Sequence, residues 1–397
     1  MTELEPVPYW RLSGVYFFYF ATLGVLMPYL GLYLTSLGFV AAQIGIVFAV
    51  IQGTKVVAPN IWAWVAGRFS NRMIMVQIAA LLSTAAFSFM LFHDSLFAII
   101  LICFVFSFFW NAMLPQFEAI TLTRLGSETN LYSGIRLWGS VGFIATVAGV
   151  GCVLDLTSID QWPLLVMSCL MMIFISSLLL NEKGRQRCSQ NSQPVYQILK
   201  QKKVIAFLLV VFLIQASHGS YYAFFSILLK QLNYNEAEIG QLWSLGVIAE
   251  IVMFIVIQRF FHHVSLRVVL LLSIFFTVIR WLLIAWSADS LPILLVAQVL
   301  HAASFGAFHV ACIQLTHRYF HGSAQEKGQA LYSSVGYGAG GMFGSLISGL
   351  LWDDFGGEWV FTIASALSVV ALYITWVWIE KDSADNLHAS GDGVSSV

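Results

Sequence analysis

Residues 181–203, NEKGRQRCSQNSQPVYQILKQKK, are the longest polar stretch in a 397-residue chain that is 59% apolar and only 10% charged. On either side of it lie apolar runs of about 20 residues or more, the length needed to cross the roughly 30 Å of hydrocarbon in a bilayer. Six precede it, near 11–35, 39–65, 74–93, 96–121, 133–154 and 162–180, and six follow, near 204–230, 236–258, 266–288, 291–317, 327–351 and 357–379. The runs are continuous and do not alternate, so they read as helices and not as barrel strands. The expectation is an all-α integral membrane protein of twelve transmembrane helices in two pseudo-symmetric six-helix bundles. The first bundle covers 1–180, a cytoplasmic linker 181–203, the second bundle 204–380, and a disordered cytoplasmic tail 381–397.

Charge supplies the orientation. If the first helix starts inside, every loop Lys and Arg except Lys230 falls on the side of the termini and the linker, which puts both termini in the cytoplasm of a bacterial-type inner membrane. The outer connections are short and mostly acidic, with Asp94, Asp160, Glu236 and Asp353 among them. The first apolar run is of full span length and follows Glu3 and Glu5, so it reads as a retained helix and not a cleaved leader. Cys103, Cys152, Cys169, Cys188 and Cys312 have no paired spacing and read as packing residues, and His317 and His321 as solvated; no metal or cofactor is expected. Topology accounts for the basic loops, so nucleic acid is not an expected partner. The chain carries no HExxH, GxSxG or ATP-binding motif, which argues against an enzyme and for a gradient as the driving force.

The two sets of runs repeat each other. A shift of 195 residues brings Gly24 onto Gly219, Leu34 onto Leu229, Ile44-Gly45 onto Ile239-Gly240 and Lys55 onto Glu250. A shift of 200 brings Leu131-Tyr132-Ser133 onto Leu331-Tyr332-Ser333 and Gly149 onto Gly349. Two parallel halves with a site near the midplane are the architecture of alternating-access secondary transporters.

A charge held in hydrocarbon costs a few kcal/mol at least, so each charge inside a span needs a reason. Glu118 and Arg136 stand nine residues either side of position 127, the centre of the loop between the fourth and fifth runs, so an antiparallel hairpin puts them at one depth. Such a pair is either a static ion pair near a helix end or a site where substrate competes for one partner. Lys55 lies deep in the second run with no acid one turn away; its partner is Glu118 or the carboxylate of an anionic substrate. Glu250, Arg280 and His301 fall at compatible depths, and a carboxylate whose ionisation depends on burial and on a neighbouring Arg suits proton handling.

Tyr16, Phe20 and Tyr29 on the first run, Trp138 on the fifth, and Tyr221 and Tyr222 on the seventh could sandwich a flat ring. Gly336, Gly340 and Gly344 make a small-residue row on the eleventh run, and Gly139 and Gly142 thin the fifth, both suited to close helix approach. Pro28, Pro59 and Pro115 are expected to kink the first, second and fourth.

The stretches YSGIRLWGSV (132–141), HGSYYAFF (218–225), IGQLWSLGVIAE (239–250), IRW (279–281) and AQVLH (297–301) resemble the major facilitator superfamily. The similarity is to its 3-phenylpropionate permease branch, with lactose permease and the nucleoside/proton symporters more distant. The resemblance to lactose permease implies that Glu118 and Arg136 bind substrate and that Glu250, Arg280 and His301 belong to a coupling network. Two departures stand out: no acid lies near Ser304, where lactose permease carries its proton-bearing carboxylate, and Gly67 stands where the superfamily loop has Asp. Lys55 resembles a basic residue of the phenylpropionate branch and turns the expectation from sugars to aromatic acids.

The expected function is therefore import of a small anionic aromatic such as 3-phenylpropionate with a proton, by a monomer in the lipid bilayer. Arg136 and Lys55 take the carboxylate, Trp138 and the tyrosines the ring, and Glu118 and Glu250 the proton. The alternatives are a sugar or nucleoside symporter and, more remotely, a membrane sensor that transports nothing.

Overall fold

The computed structural model describes residues 7–66, 68, 71–126, 128–180, 195–260 and 264–379. The tail at 381–397, most of the linker, Cys188 and Gly67 lie outside the described residues.

The apolar runs fold as α1 (Tyr9–Ser36), α2 (Ala41–Ala66), α3 (Arg72–Ser88), α4 (Leu96–Leu125), α5 (Leu131–Leu156) and α6 (Trp162–Leu178). After a single helical turn at Tyr196–Leu199 follow α7 (Lys202–Gln231), α8 (Glu236–Phe260), α9 (Leu266–Ser287) and α10 (Leu291–Tyr319). The last two expected spans run on as Gln325–Trp378, so eleven helices among the described residues are long and apolar enough to cross a membrane. This last run breaks at Gly356, where φ is 79° and ψ is 170°, a conformation that glycine alone adopts readily. We label its arms α11 (325–355) and α12 (357–378), which restores the expected twelve spans.

Two of the helices are not regular. Ala302–Ala307 in α10 and Ser334–Gly340 in α11 are π segments, each loosening one stretch of the hydrogen-bond ladder. Such segments are common at functional sites. Pro28, Pro59 and Pro115 lie inside α1, α2 and α4 as expected, each removing a backbone donor from its ladder.

The chain divides into two compact units that do not coincide with its sequence halves. Among the described residues, one contains 7–180, 219–244 and 342–356, the other 195–218, 245–341 and 357–379. In the first unit α1 packs on α5 and α6, α3 on α4 and α6, and α2 on α4. Without water in the bilayer, helices associate through close packing and hydrogen bonds, which small residues allow. At Gly142 a Cβ would lie 2.2 Å from the Phe17 carbonyl oxygen, so α5 approaches α1 backbone to backbone only because that atom is missing. Thr146 Oγ1 donates to Ala21 O at 3.0 Å and Trp162 Nε1 to Val25 O at 2.8 Å, fixing α5 and α6 against α1.

The ends of α7, α8 and α11 join this unit through equally close contacts. A Cβ on Gly349 would sit 2.6 Å from Ala41 O and 2.8 Å from Gly45 Cα, and Asp353 Oδ2 accepts from Ala41 N at 3.1 Å. The small-residue row of α11 packs along α7 within each unit: Gly340 against Phe212 O in the second, Gly344 against Gly219 in the first. Of the cysteines, Cys103 and Cys312 are buried, while Cys152 is exposed.

Candidate functional site

The α4–α5 hairpin brings Arg136 Nε to 3.8 Å from Glu118 Oε1, with about a third of each side chain exposed, 32% and 35%. The equal spacing about position 127 thus translates into proximity. At 3.8 Å the pair is looser than the roughly 2.7–2.9 Å of a charge-assisted hydrogen bond, so the carboxylate and guanidinium neutralise each other without spending their donors and acceptors on each other. Arg136 carries five N–H donors, and among the described residues no acceptor takes a hydrogen bond from it.

Aromatic side chains support this guanidinium. Its carbon lies 4.0 Å from the centre of the Phe20 ring and 5.7 Å from that of Tyr16, within cation–π range. Gly139 makes room for this, since a Cβ there would fall 2.6 Å from the Phe20 ring. Tyr16 is fully buried, its hydroxyl donating to Thr121 Oγ1 at 3.3 Å and its ring edge-on to Phe117. Beside it Tyr19 stacks on Trp110 at 5.2 Å, and the indole Nε1 of Trp110 is buried with no partner among the described residues.

Lys55 lies on α2 directly after a polar network that ties α2 to α4. Asn111 Nδ2 donates to Ile51 O at 3.1 Å and to Thr54 Oγ1 at 2.9 Å, and Thr54 and Ser107 share a hydrogen bond of 3.0 Å. The expected alternative of pairing with Glu118 is not formed: Lys55 makes no ion pair or hydrogen bond with a described residue, and Glu118 pairs with Arg136. One turn back, Gln52 Oε1 is buried and equally without a partner among the described residues.

Trp138 and Tyr29 make their contacts away from Arg136. Trp138, two residues on and so on a different face of α5, packs edge-on against Trp10 at 5.5 Å, and Trp10 is 71% exposed. Tyr29 lies about 20 Å along α1 from Tyr16 by helix rise. It is fully buried, with its hydroxyl donating to Val147 O at 2.7 Å and 3.4 Å from Glu236 O, which is a helix-clamping role. Tyr221 stacks on Phe225 at 4.6 Å and leans on Trp243 at 4.5 Å, while Tyr222 flanks the same indole.

In the second unit His301 Nε2 lies 3.7 Å from Glu250 Oε2. Glu250 rests against Gly306, where a Cβ would come 3.1 Å from its Cγ. Arg280 is fully buried and donates from Nε to Ala297 O at 3.0 Å, with Nη1 3.5 Å from Ser304 Oγ and Nη2 3.5 Å from Gln298 Oε1. The position expected to lack an acid therefore presents a serine hydroxyl to this guanidinium. His301 stacks on Phe305 at 5.1 Å, Phe305 on His309 at 6.3 Å, and the His309 Nδ1 meets the Tyr332 and Tyr337 hydroxyls at 2.9 and 3.0 Å. Tyr19, Trp110 and Tyr337 carry no signal in the sequence, Gln298 lies inside the stretch AQVLH, and His309 carries little weight there. Tyr332 also has a signal, since the repeat aligns it with Tyr132, which packs on the core around Tyr16. Among the described residues no group of three His, Cys, Asp or Glu is arranged to hold a metal.

Many apolar spans with charged residues held inside them fit a membrane carrier, and comparison with known proteins agrees. The family model described as the MFS_1 like family matches residues 9–363, and the chain belongs to that family. It is a multi-pass transporter of the major facilitator type, acting on a small molecule in a lipid bilayer. It is similar to a probable 3-phenylpropionic acid transporter of Escherichia coli (strain K12), 26% identical over 92% of this chain and 96% of the relative. It is also similar to a maltose permease of Geobacillus stearothermophilus, 23% identical over 92% of this chain and 93% of that one. Among solved structures, the nucleoside transporter NupG shares the fold with a TM-score of 0.82 at 18% identity, covering 94% of this chain and 99% of that one.

Proposed function

We propose that the chain imports a small aromatic carboxylate such as 3-phenylpropionate together with a proton. The observation that carries this reading is Arg136: a half-open guanidinium with unspent donors, seated on Phe20 and Tyr16, is a receptor for a carboxylate attached to a ring. Lys55, a second cation without a protein partner among the described residues of the same unit, adds to the anion preference, and the relative named for 3-phenylpropionic acid points the same way. Glu118 and Glu250 are the proton carriers, with Arg280 and His301 tuning Glu250.

Reconstituted into proteoliposomes, the protein is expected to accumulate labelled 3-phenylpropionate above the external concentration only when an inward proton gradient is imposed. Uptake of maltose or uridine with none of 3-phenylpropionate would sink the aromatic-acid reading and put a neutral substrate in its place.

We further infer that the termini face the cytoplasm, on the strength of the one-sided Lys and Arg distribution. In a cysteine-free background, an impermeant maleimide is expected to label Asp160→Cys on intact cells and Glu128→Cys only after permeabilisation. The reverse pattern inverts the topology.

A further inference from the structure

On the outer surface of the second unit, α9 and α12 enclose a groove of about 430 Å³ lined by Leu271, Leu272, Phe275, Leu372, Tyr373 and Trp376. Its walls are open: Phe275 is 47% exposed and Trp376 66%. In a membrane-spanning helix pair such a face is solvated by lipid chains, and most of it needs no particular occupant. One end of this groove differs. Arg267, in the first turn of α9, lays its guanidinium 5.4 Å from the Trp376 ring and donates from Nη2 to Trp376 O.

Among the described residues nothing neutralises that charge: Arg267 has no carboxylate partner, and its Nε is buried without an acceptor. The cation is held in place by an indole and a carbonyl, with further donors unused, at the mouth of an apolar slot.

The depth of the site identifies its occupant. Tyr373, Trp376 and Trp378 near the end of α12 are 61%, 66% and 44% exposed, the aromatic girdle of a helix leaving the hydrocarbon. Arg267 therefore stands at headgroup level. Leu271 and Phe275 follow it by one and two turns, about 6–12 Å deeper along α9. We infer that the groove is a site for one anionic phospholipid, its phosphate on Arg267 and one acyl chain between α9 and α12. Arginine's planar fork suits phosphate, and basic pockets between transmembrane helices at this depth are suited to anionic headgroups. The site is independent of the substrate assignment above.

Native mass spectrometry of the delipidated full-length protein tests it, with titration by phosphatidylglycerol and phosphatidylcholine of identical chains. Wild type is expected to take its first phosphatidylglycerol about fivefold more tightly than phosphatidylcholine, the effect of one Arg at a headgroup. Arg267→Gln, a change at a partly exposed position, is expected to erase that preference. Leu272→Trp, which fills the slot, is expected to weaken both lipids. Equal affinity for the two lipids in wild type, or a preference that survives in Arg267→Gln, overturns the proposal. A dimer mass lost on Leu272→Trp does so too, because a second copy of the chain is then the occupant.

Discussion

Arg136→Gln should abolish transport of 3-phenylpropionate, lowering the initial uptake rate on the order of a hundredfold while leaving the amount of folded, monodisperse protein unchanged. The size follows from what the guanidinium does. It offers a fork of donors to an anion in a setting of low dielectric, where a hydrogen bond to a charged group is worth about 1.5–3 kcal/mol, and two such bonds correspond to a factor of a hundred or more. Glutamine keeps polarity but loses the charge and the bidentate geometry. It also leaves Glu118 without its cation at 3.8 Å, which turns the carboxylate from a neutralised neighbour into a repulsive one for an anionic substrate. Folding should survive because both side chains are about a third exposed, so neither charge is sealed in the core. Arg136→Lys is expected to fall between, since an ammonium retains the charge without the fork. Uptake within twofold of wild type in Arg136→Gln, measured with labelled substrate at matched protein, would remove Arg136 from the substrate site.

What the sequence revealed, and what it did not, follows from how each feature is encoded. Span positions were legible because burial in hydrocarbon demands an unbroken apolar run, and the Glu118–Arg136 proximity was legible because a hairpin fixes its own register. Gly139 and Gly142 announced a close helix approach, although not that Phe20 and Phe17 would fill the space. Trp138 and Tyr29 lie away from Arg136 for opposite reasons. The first sits two residues from Arg136 in sequence but on another face of α5, and the second shares a helix with Tyr16 but not its depth. The π segments of α10 and α11 left no mark, because they depend on how a ladder slips under packing and not on a residue type. The repeat suggested two self-contained halves. The compact units differ because Gly45 meets Gly349, and Gly31 meets Ala223, through contacts between glycine and backbone or small side chains far apart in sequence.

Glu250→Gln separates the two steps that coupled transport combines. Glutamine preserves the volume of the side chain against Gly306 and its polarity near His301, but it cannot bind or release a proton in the working range. Exchange of labelled for unlabelled substrate across the membrane requires only that the loaded carrier reorient, whereas accumulation against a gradient requires a proton to enter on one side and leave on the other. The variant is therefore expected to retain counterflow within a few-fold of wild type and to lose gradient-driven accumulation altogether. Its surroundings make Glu250 the stronger of the two candidate carriers. Its carboxylate lies 3.7 Å from the His301 imidazole, beside a π segment that loosens the backbone of α10, and the Arg280 guanidinium on α9 meets a hydroxyl at Ser304. On the proposed reading the proton is carried by Glu250 or by Glu118. A Glu250→Gln protein that accumulates substrate normally would transfer the proton to Glu118. The same pair of assays on Glu118→Gln, in which accumulation should then fail while substrate binding weakens as well, would distinguish a carrier that couples through its substrate site from one that couples apart from it.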